Sequence, residues 1–98
     1  MNIQAMMKQA QKLQKDMMEE KNRIDSMEFT AKSSFVTVKM KGNKEIIDVN
    51  IDIDALEKEE IEMLQDMIMV AVNDCIKQID KETEKNLGKY TQGMPGLF

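Results

Sequence analysis

The sequence has no histidine and no tryptophan, and only one cysteine, one proline and four aromatic residues among its 98. Without histidine there is no imidazole to serve as general base, to activate a serine or cysteine, or to ligate a metal, which removes the commonest hydrolytic designs. The single Cys75 cannot form an intrachain disulfide and has no Cys or His partner with which to hold zinc. An enzyme is therefore the weakest expectation, and no cofactor, metal or small-molecule substrate is expected. Long apolar runs are missing too: the longest, Met67 to Val72, is six residues, far short of the ~20 that a membrane span needs. Gln4, Lys8, Gln9, Gln11 and Lys12 stand where a secretory signal would place its apolar stretch, so a cytosolic protein without membrane contact is expected.

What is present is 42% apolar residues, eleven of them Met. That is enough for a soft aliphatic core in a single domain spanning residues 1–98, which at this size buries only ~65% of its unfolded surface. Apolar residues at Ile3, Met6, Ala10, Leu13, Met17, Ile24 and Met27 make a heptad-like seam interrupted at Glu20, which predicts an amphipathic helix from Asn2, its N-cap, to about Ile24. Past Ser26 the period changes to two. Three antiparallel strands are predicted over about 28–33, 34–41 and 44–53. A two-residue Gly42-Asn43 turn would set Lys41 opposite Lys44, Val38 opposite Ile47 and Val36 opposite Val49, with every apolar pair on one face.

Glu57, Glu59, Glu60 and Glu62 then crowd the start of a second long helix, for which Asp54 is the expected cap. From Ile61 to Ile76 this helix is apolar almost all round, so a three-stranded sheet covers one side and a second copy of the chain is the simplest cover for the other. From Ile79 to Leu87 the apolar surface narrows to Ile79, Thr83 and Leu87 on a charged rod. Gly88, Gly93, Pro95 and Gly96 predict the end of regular structure and a tail from about Lys89 to Phe98. The fold class is α+β, an α-β-β-β-α chain. Both helices, at ~35 and ~45 Å, overshoot strands of ~23 Å, so their surplus turns either protrude or pair as a two-helix arm.

Charge is segregated along the chain. Residues 1–15 hold Lys8, Lys12 and Lys15 and no acid, whereas residues 54–66 carry a net charge of −5. Lys77, Lys81, Lys85 and Lys89 recur every four residues, which stacks them on one helical face. Lysines opposite an apolar seam are usually only a solvated face. Here both rows fall on the two segments whose length has no folding explanation, and basic arms of this kind suit the phosphates of a polyanion. Neither row contains Arg for bidentate reading of bases, so contact with the backbone rather than sequence is expected. The sole Arg23, next to Glu19 and Glu20, is expected to be a surface ion-pair partner.

Three segments carry a resemblance: Met6-Met7-Lys8-Gln9-Ala10-Gln11-Lys12, then Glu62-Met63-Leu64-Gln65-Asp66-Met67-Ile68 running on to Ala71-Val72-Asn73-Asp74, and finally Gly88-Lys89-Tyr90-Thr91-Gln92-Gly93-Met94-Pro95-Gly96-Leu97. In order and spacing the whole chain resembles the YbaB/EbfC family of bacterial nucleoid-associated proteins. The resemblance implies a homodimer whose helical projections bind double-stranded DNA, with a role in nucleoid organisation and gene regulation. It makes Lys8, Gln9, Lys12 and Lys15 candidate DNA contacts. It also implies that Leu64, Met67, Ile68, Ala71, Val72 and Cys75 help form the dimer core. Lys77, Lys81 and Lys85 rest on their spacing alone. The chain departs from the family pattern at Lys32-Ser33-Ser34, where relatives usually carry a glycine-rich turn, and at Ile53, where they often carry Pro. The competing reading is a protein–protein scaffold or a prefoldin-like chaperone subunit, in which paired helices grip clients through apolar tips. Lysine-rich tips weigh against it.

Overall fold

The computed structural model describes residues 2–91. Helix α1 (Ile3–Ser26) is followed by strands β1 (Glu28–Ser33), β2 (Val36–Lys41) and β3 (Ile46–Ile51), a 3-10 turn (Lys58–Glu60) and helix α2 (Ile61–Thr91). Asn2 caps α1, its side-chain carbonyl accepting from the N–H groups of Gln4 (3.1 Å) and Ala5 (3.4 Å). The helix stops where Met27 turns extended while its N–H still bonds Ile24 O at 3.0 Å.

The three strands form one antiparallel sheet in the order β1-β2-β3. Phe29 and Ala31 on β1 alternate with exposed residues, as do Val36, Val38 and Met40 on β2 with half-exposed ones. These five side chains form the floor of the core. Ala71, Cys75 and Ile79 of α2 lie against it, each at most 1% exposed. The Cys75 thiol donates to the backbone carbonyls of Val38 (3.5 Å) and Phe29 (3.8 Å), so a weak donor is satisfied inside an otherwise apolar layer.

The β2–β3 hairpin differs from expectation in an instructive way. Its loop has three residues, Gly42-Asn43-Lys44, closed by Lys41 N–H to Glu45 O (2.9 Å) and Lys44 N–H to Lys41 O (2.8 Å). Lys44, at φ 71°, takes the left-handed position. A bulge follows, since Met40 pairs with Ile46 but Lys39 pairs with Asp48. Val38 therefore faces Val49, and Val36 faces Ile51, two residues from the expected register. Each one-residue shift would have turned the apolar set over; together they restore it to the same face.

Two further boundaries move. The cap before the second helix is Glu57, whose N–H donates to Glu60 Oε1 at 3.1 Å, not Asp54. Ile53 lies outside β3, which ends at Ile51. At the other end α2 continues through Gly88 to Thr91. Glycine costs a helix only ~1 kcal/mol relative to alanine, and the buried Leu87 beside it holds the turn in place. The rest of the expected tail lies outside the described residues.

The second half of α1 packs along the second half of α2, burying Ile24, Ile79 and Leu87 to 2% exposure or less. Arg23 of α1 reaches Glu82 of α2 at 3.8 Å. The surplus turns are thus used in both of the expected ways. Half of α1 pairs with α2 as an arm, and residues 3–15 are exposed throughout. The molecule measures 71 × 21 × 14 Å.

Candidate nucleic-acid interface

The arm is rooted where Gly42 of the hairpin loop meets the end of α1. Its N–H donates to Met27 O at 3.0 Å, and a Cβ at Gly42 would lie 1.8 Å from Ile24 O. This glycine is required by close approach of two backbones rather than by a positive φ, which falls on Lys44 instead. Around the root, Lys21 pairs with Asp25 (3.1 Å) and Lys44 with Asp80 (3.3 Å), flanking a cleft floored by Ile24, Ile79 and Leu87.

Lys8, Gln9, Lys12 and Lys15 are all exposed on the free half of α1. Lys15 comes within 4.0 Å of Glu19 in a solvent-exposed pair. Among the described residues no carboxylate lies within ion-pair distance of Lys8 or Lys12. With 100° per residue, the three lysines stand about 180° from the line of Met17 and Ile24 that faces α2. Lys77, Lys81, Lys85 and Lys89 are exposed on α2, Lys89 with its ammonium 5.0 Å from the Tyr90 ring centroid. Lys77 and Lys81 point directly away from the buried line of Cys75, Ile79 and Leu87, and the row drifts gradually around the helix from there.

Two of the four acids interspersed with that row are occupied elsewhere. Asp80 pairs with Lys44, and Glu82 faces Arg23 and accepts from the Asn86 amide at 2.7 Å. Asp74 is half-buried, and Glu84 remains exposed beside the lysines. The two basic rows are not brought together: Lys8, Lys12 and Lys15 lie on the outer side of α1 and Lys77, Lys81 and Lys85 on the outer side of α2, while Lys89 stands at the edge facing α1, where its charge helps to lower the Glu20 carboxyl. Arg23 takes the ion-pair role expected of it. Its guanidinium Nε donates to Glu20 Oε1 at 3.0 Å, and this hydrogen bond holds the Glu20 carboxyl below its ordinary range while raising the arginine above its own.

Of the residues expected in a dimer core, Ala71 and Cys75 are wholly enclosed within the single chain. Leu64, Met67, Ile68 and Val72 are partly buried on the same core. The apolar surface left open is a different set. It comprises Ile46, Ile47, Val49 and Ile51 on β3 and Ile61, Met63, Met69 and Val70 on α2, 37–57% exposed. Geometry explains why: a helix ~10 Å across covers two strands spaced ~4.8 Å apart, not three, and α2 lies over β1 and β2. That mismatch between three amphipathic strands and one helix is legible in a sequence. A second apolar strip continues the arm's inner seam at Ile3, Met6 and Leu13, 52–71% exposed.

Among the described residues no group of Cys, Asp and Glu is arranged to hold a metal ion, and no helix is long and apolar enough to cross a membrane. Fold and site together define a small α+β protein, a three-stranded sheet carrying a two-helix arm with exposed lysines. Residues 1–94 match the YbaB/EbfC DNA-binding family, and the chain belongs to that family. A nucleoid-associated protein of Lactococcus lactis subsp. cremoris is 47% identical, covering 97% of this chain and 98% of its own. One from Ligilactobacillus salivarius is 40% identical, covering 99% of this chain and 95% of the relative. The crystal structure of an uncharacterized protein from Helicobacter pylori has the same fold, with a TM-score of 0.73 at 26% identity over 94% of this chain and 98% of that one.

Proposed function

We propose that this chain is a nucleoid-associated protein of the bacterial cytoplasm that binds double-stranded DNA as a homodimer, without catalysis, and takes part in nucleoid organisation and gene regulation. The observation that carries the reading is the free half of α1, a stretch of family-matched helix that no other element among the described residues covers and along which Lys8, Gln9, Lys12 and Lys15 are exposed. Such lysines act as point charges on phosphates, which gives affinity with little sequence information. The open apolar face of β3 and the adjoining flank of α2 supports the dimer. Ile47, Val49 and Ile51 of β3 and the exposed apolar residues of α2 lack a cover among the described residues, and a symmetry-related copy supplies one with the same residues on both sides. The family is defined by DNA binding rather than by a reaction.

A titration against unrelated duplexes at two salt concentrations tests the proposal. Each phosphate neutralised contributes about −0.9 to the slope of log affinity against log salt. Replacing Lys8, Lys12 and Lys15 with Gln is therefore expected to flatten the slope by up to about 2.7 per arm in contact. Affinity that is indifferent to salt, or no binding at low salt, would refute the reading.

One observation favours a second reading, that of a chaperone-like scaffold. The arm's tip exposes Ile3, Met6, Met7 and Leu13 as well as lysines, more apolar surface than expected at such a tip. Suppression of aggregation of an unfolded client by the wild type, lost on replacing Met6, Met7 and Leu13 with Gln, would support that reading; no suppression would dismiss it.

A further inference from the structure

The two lysine rows sit on opposite outer sides of the arm. The inner sides of α1 and α2 are consumed by the contact that buries Ile24, Ile79 and Leu87, and rows half a helical turn away from that contact necessarily diverge. Where the two helices pair, with axes ~8–10 Å apart and each ~10 Å across, their outer faces are about 20 Å apart, and the row of Lys8, Lys12 and Lys15 continues the outer face of α1 beyond that contact. The major groove of B-DNA, ~12 Å wide, accepts one helix but not this pair side by side. One straight duplex therefore cannot meet Lys8, Lys12 and Lys15 together with Lys77, Lys81 and Lys85. Each row is nonetheless long enough to follow a backbone by itself. Lys8 to Lys15 runs ~10 Å along its helix and Lys77 to Lys85 ~12 Å, against one phosphate charge per ~1.7 Å of duplex. The acids that would cancel the second row are partly withdrawn, Asp80 to Lys44 and Glu82 to Arg23.

We infer that each arm has two separate phosphate-binding faces, so that a single chain joins two DNA duplexes. This rests on the DNA-binding reading above and adds to it a bridging function. Because the α1–α2 contact sets the outer sides of the two helices facing opposite ways, the joined duplexes lie on either side of the arm rather than along one line.

Stoichiometry tests this independently of dimerisation. A labelled duplex of about ten base pairs is titrated into the full chain at low salt, and the number bound per chain is read by calorimetry and by sedimentation. The wild type is expected to saturate at two duplexes per chain. The Lys8→Gln, Lys12→Gln, Lys15→Gln variant and the Lys77→Gln, Lys81→Gln, Lys85→Gln, Lys89→Gln variant are each expected to saturate at one. Circular dichroism confirms that both remain folded. Wild-type saturation at one duplex or fewer per chain, or loss of all binding in either variant, overturns the two-face inference and leaves DNA binding standing. A wild type that binds no duplex overturns the DNA reading itself.

Discussion

Gly42→Ala is the substitution with the largest consequence per atom added. The new Cβ would lie 1.8 Å from Ile24 O and 2.6 Å from Ile24 C, both backbone atoms that no rotamer change can move aside. Restoring an ordinary contact of about 3.2 Å means opening the α1–hairpin junction by about 1.4 Å, a gap that forfeits half or more of the local dispersion contacts. The junction includes the hydrogen bond from Gly42 N–H to Met27 O at 3.0 Å, which contributes about 0.5–1.5 kcal/mol. It also supports Ile24, 2% exposed, whose burial contributes about 1.5–3 kcal/mol. Losing about half of the latter and most of the former, less the ~0.4–1 kcal/mol that alanine gains by restricting the unfolded chain, gives a net destabilisation centred on about 1.3 kcal/mol. Urea denaturation of both proteins at one fixed concentration measures it, since the proposed homodimer would make the midpoint depend on concentration. A variant within 0.5 kcal/mol of the wild type would refute the claim that two backbones meet there.

Other substitutions act on the same framework. Ser34, at φ 52° in the loop between β1 and β2, occupies a left-handed position that costs a non-glycine residue about 1–2 kcal/mol, so Ser34→Gly is expected to raise the urea midpoint, with a net gain of about 0.5–1 kcal/mol. Lys44→Gly is expected to gain less, because it also removes the exposed pair with Asp80. Among the described residues a Cβ on Gly88 would meet nothing within 4 Å, so Gly88→Ala is expected to stabilise α2 by up to about 1 kcal/mol, read as a higher melting temperature. Val49→Lys with Ile51→Lys places charge on an open face, 39–44% exposed; helicity should survive while sedimentation, expected to show the proposed homodimer for the wild type, shows a monomer for the variant, and a dimer in the variant would rule that face out. Burial pushes the Cys75 thiol up from its ordinary value. Native protein should therefore resist alkylation, and stability should fall as pH rises through the ordinary thiol range, where only the unfolded chain ionises; rapid labelling of the native state would contradict this.

Much of the fold was legible because two periodicities carry it. The seam from Ile3 to Ile24 and the alternation through Phe29, Val38 and Val49 fixed element type, order and the buried face. The narrow line of Ile79, Thr83 and Leu87 reads as the seam of a projecting rod, and the structure puts Ile79 and Leu87 where α2 meets α1. What escaped was backbone detail of a kind that side-chain pattern does not encode. The bulge at Ile47 and the left-handed Lys44 compensate one another in face, so periodicity reads the same with or without them. Gly42 looked like a turn residue, because a sequence does not separate a glycine needed for φ from one needed for clearance. The lysine rows were visible at once as i, i+4 series. Their divergence was not, since it depends on which sides of the two helices meet each other.

The distribution of charge completes the argument for an arm. Segment 54–66, net −5, leads into the start of α2, while Lys8, Lys12 and Lys15 occupy the opposite end of a molecule 71 Å long. At physiological ionic strength the Debye length is ~8 Å, so a phosphate beside the lysine-bearing end of α1 scarcely senses the acidic segment, whereas one approaching that segment is repelled. A negatively charged protein can thereby attract a polyanion if its cations stand several Debye lengths from its carboxylates, and the overshoot of α1 beyond the sheet supplies that distance. On this argument the length of the arm matters as much as its lysines. Moving the same three charges onto the sheet would leave the net charge unchanged and lose the binding.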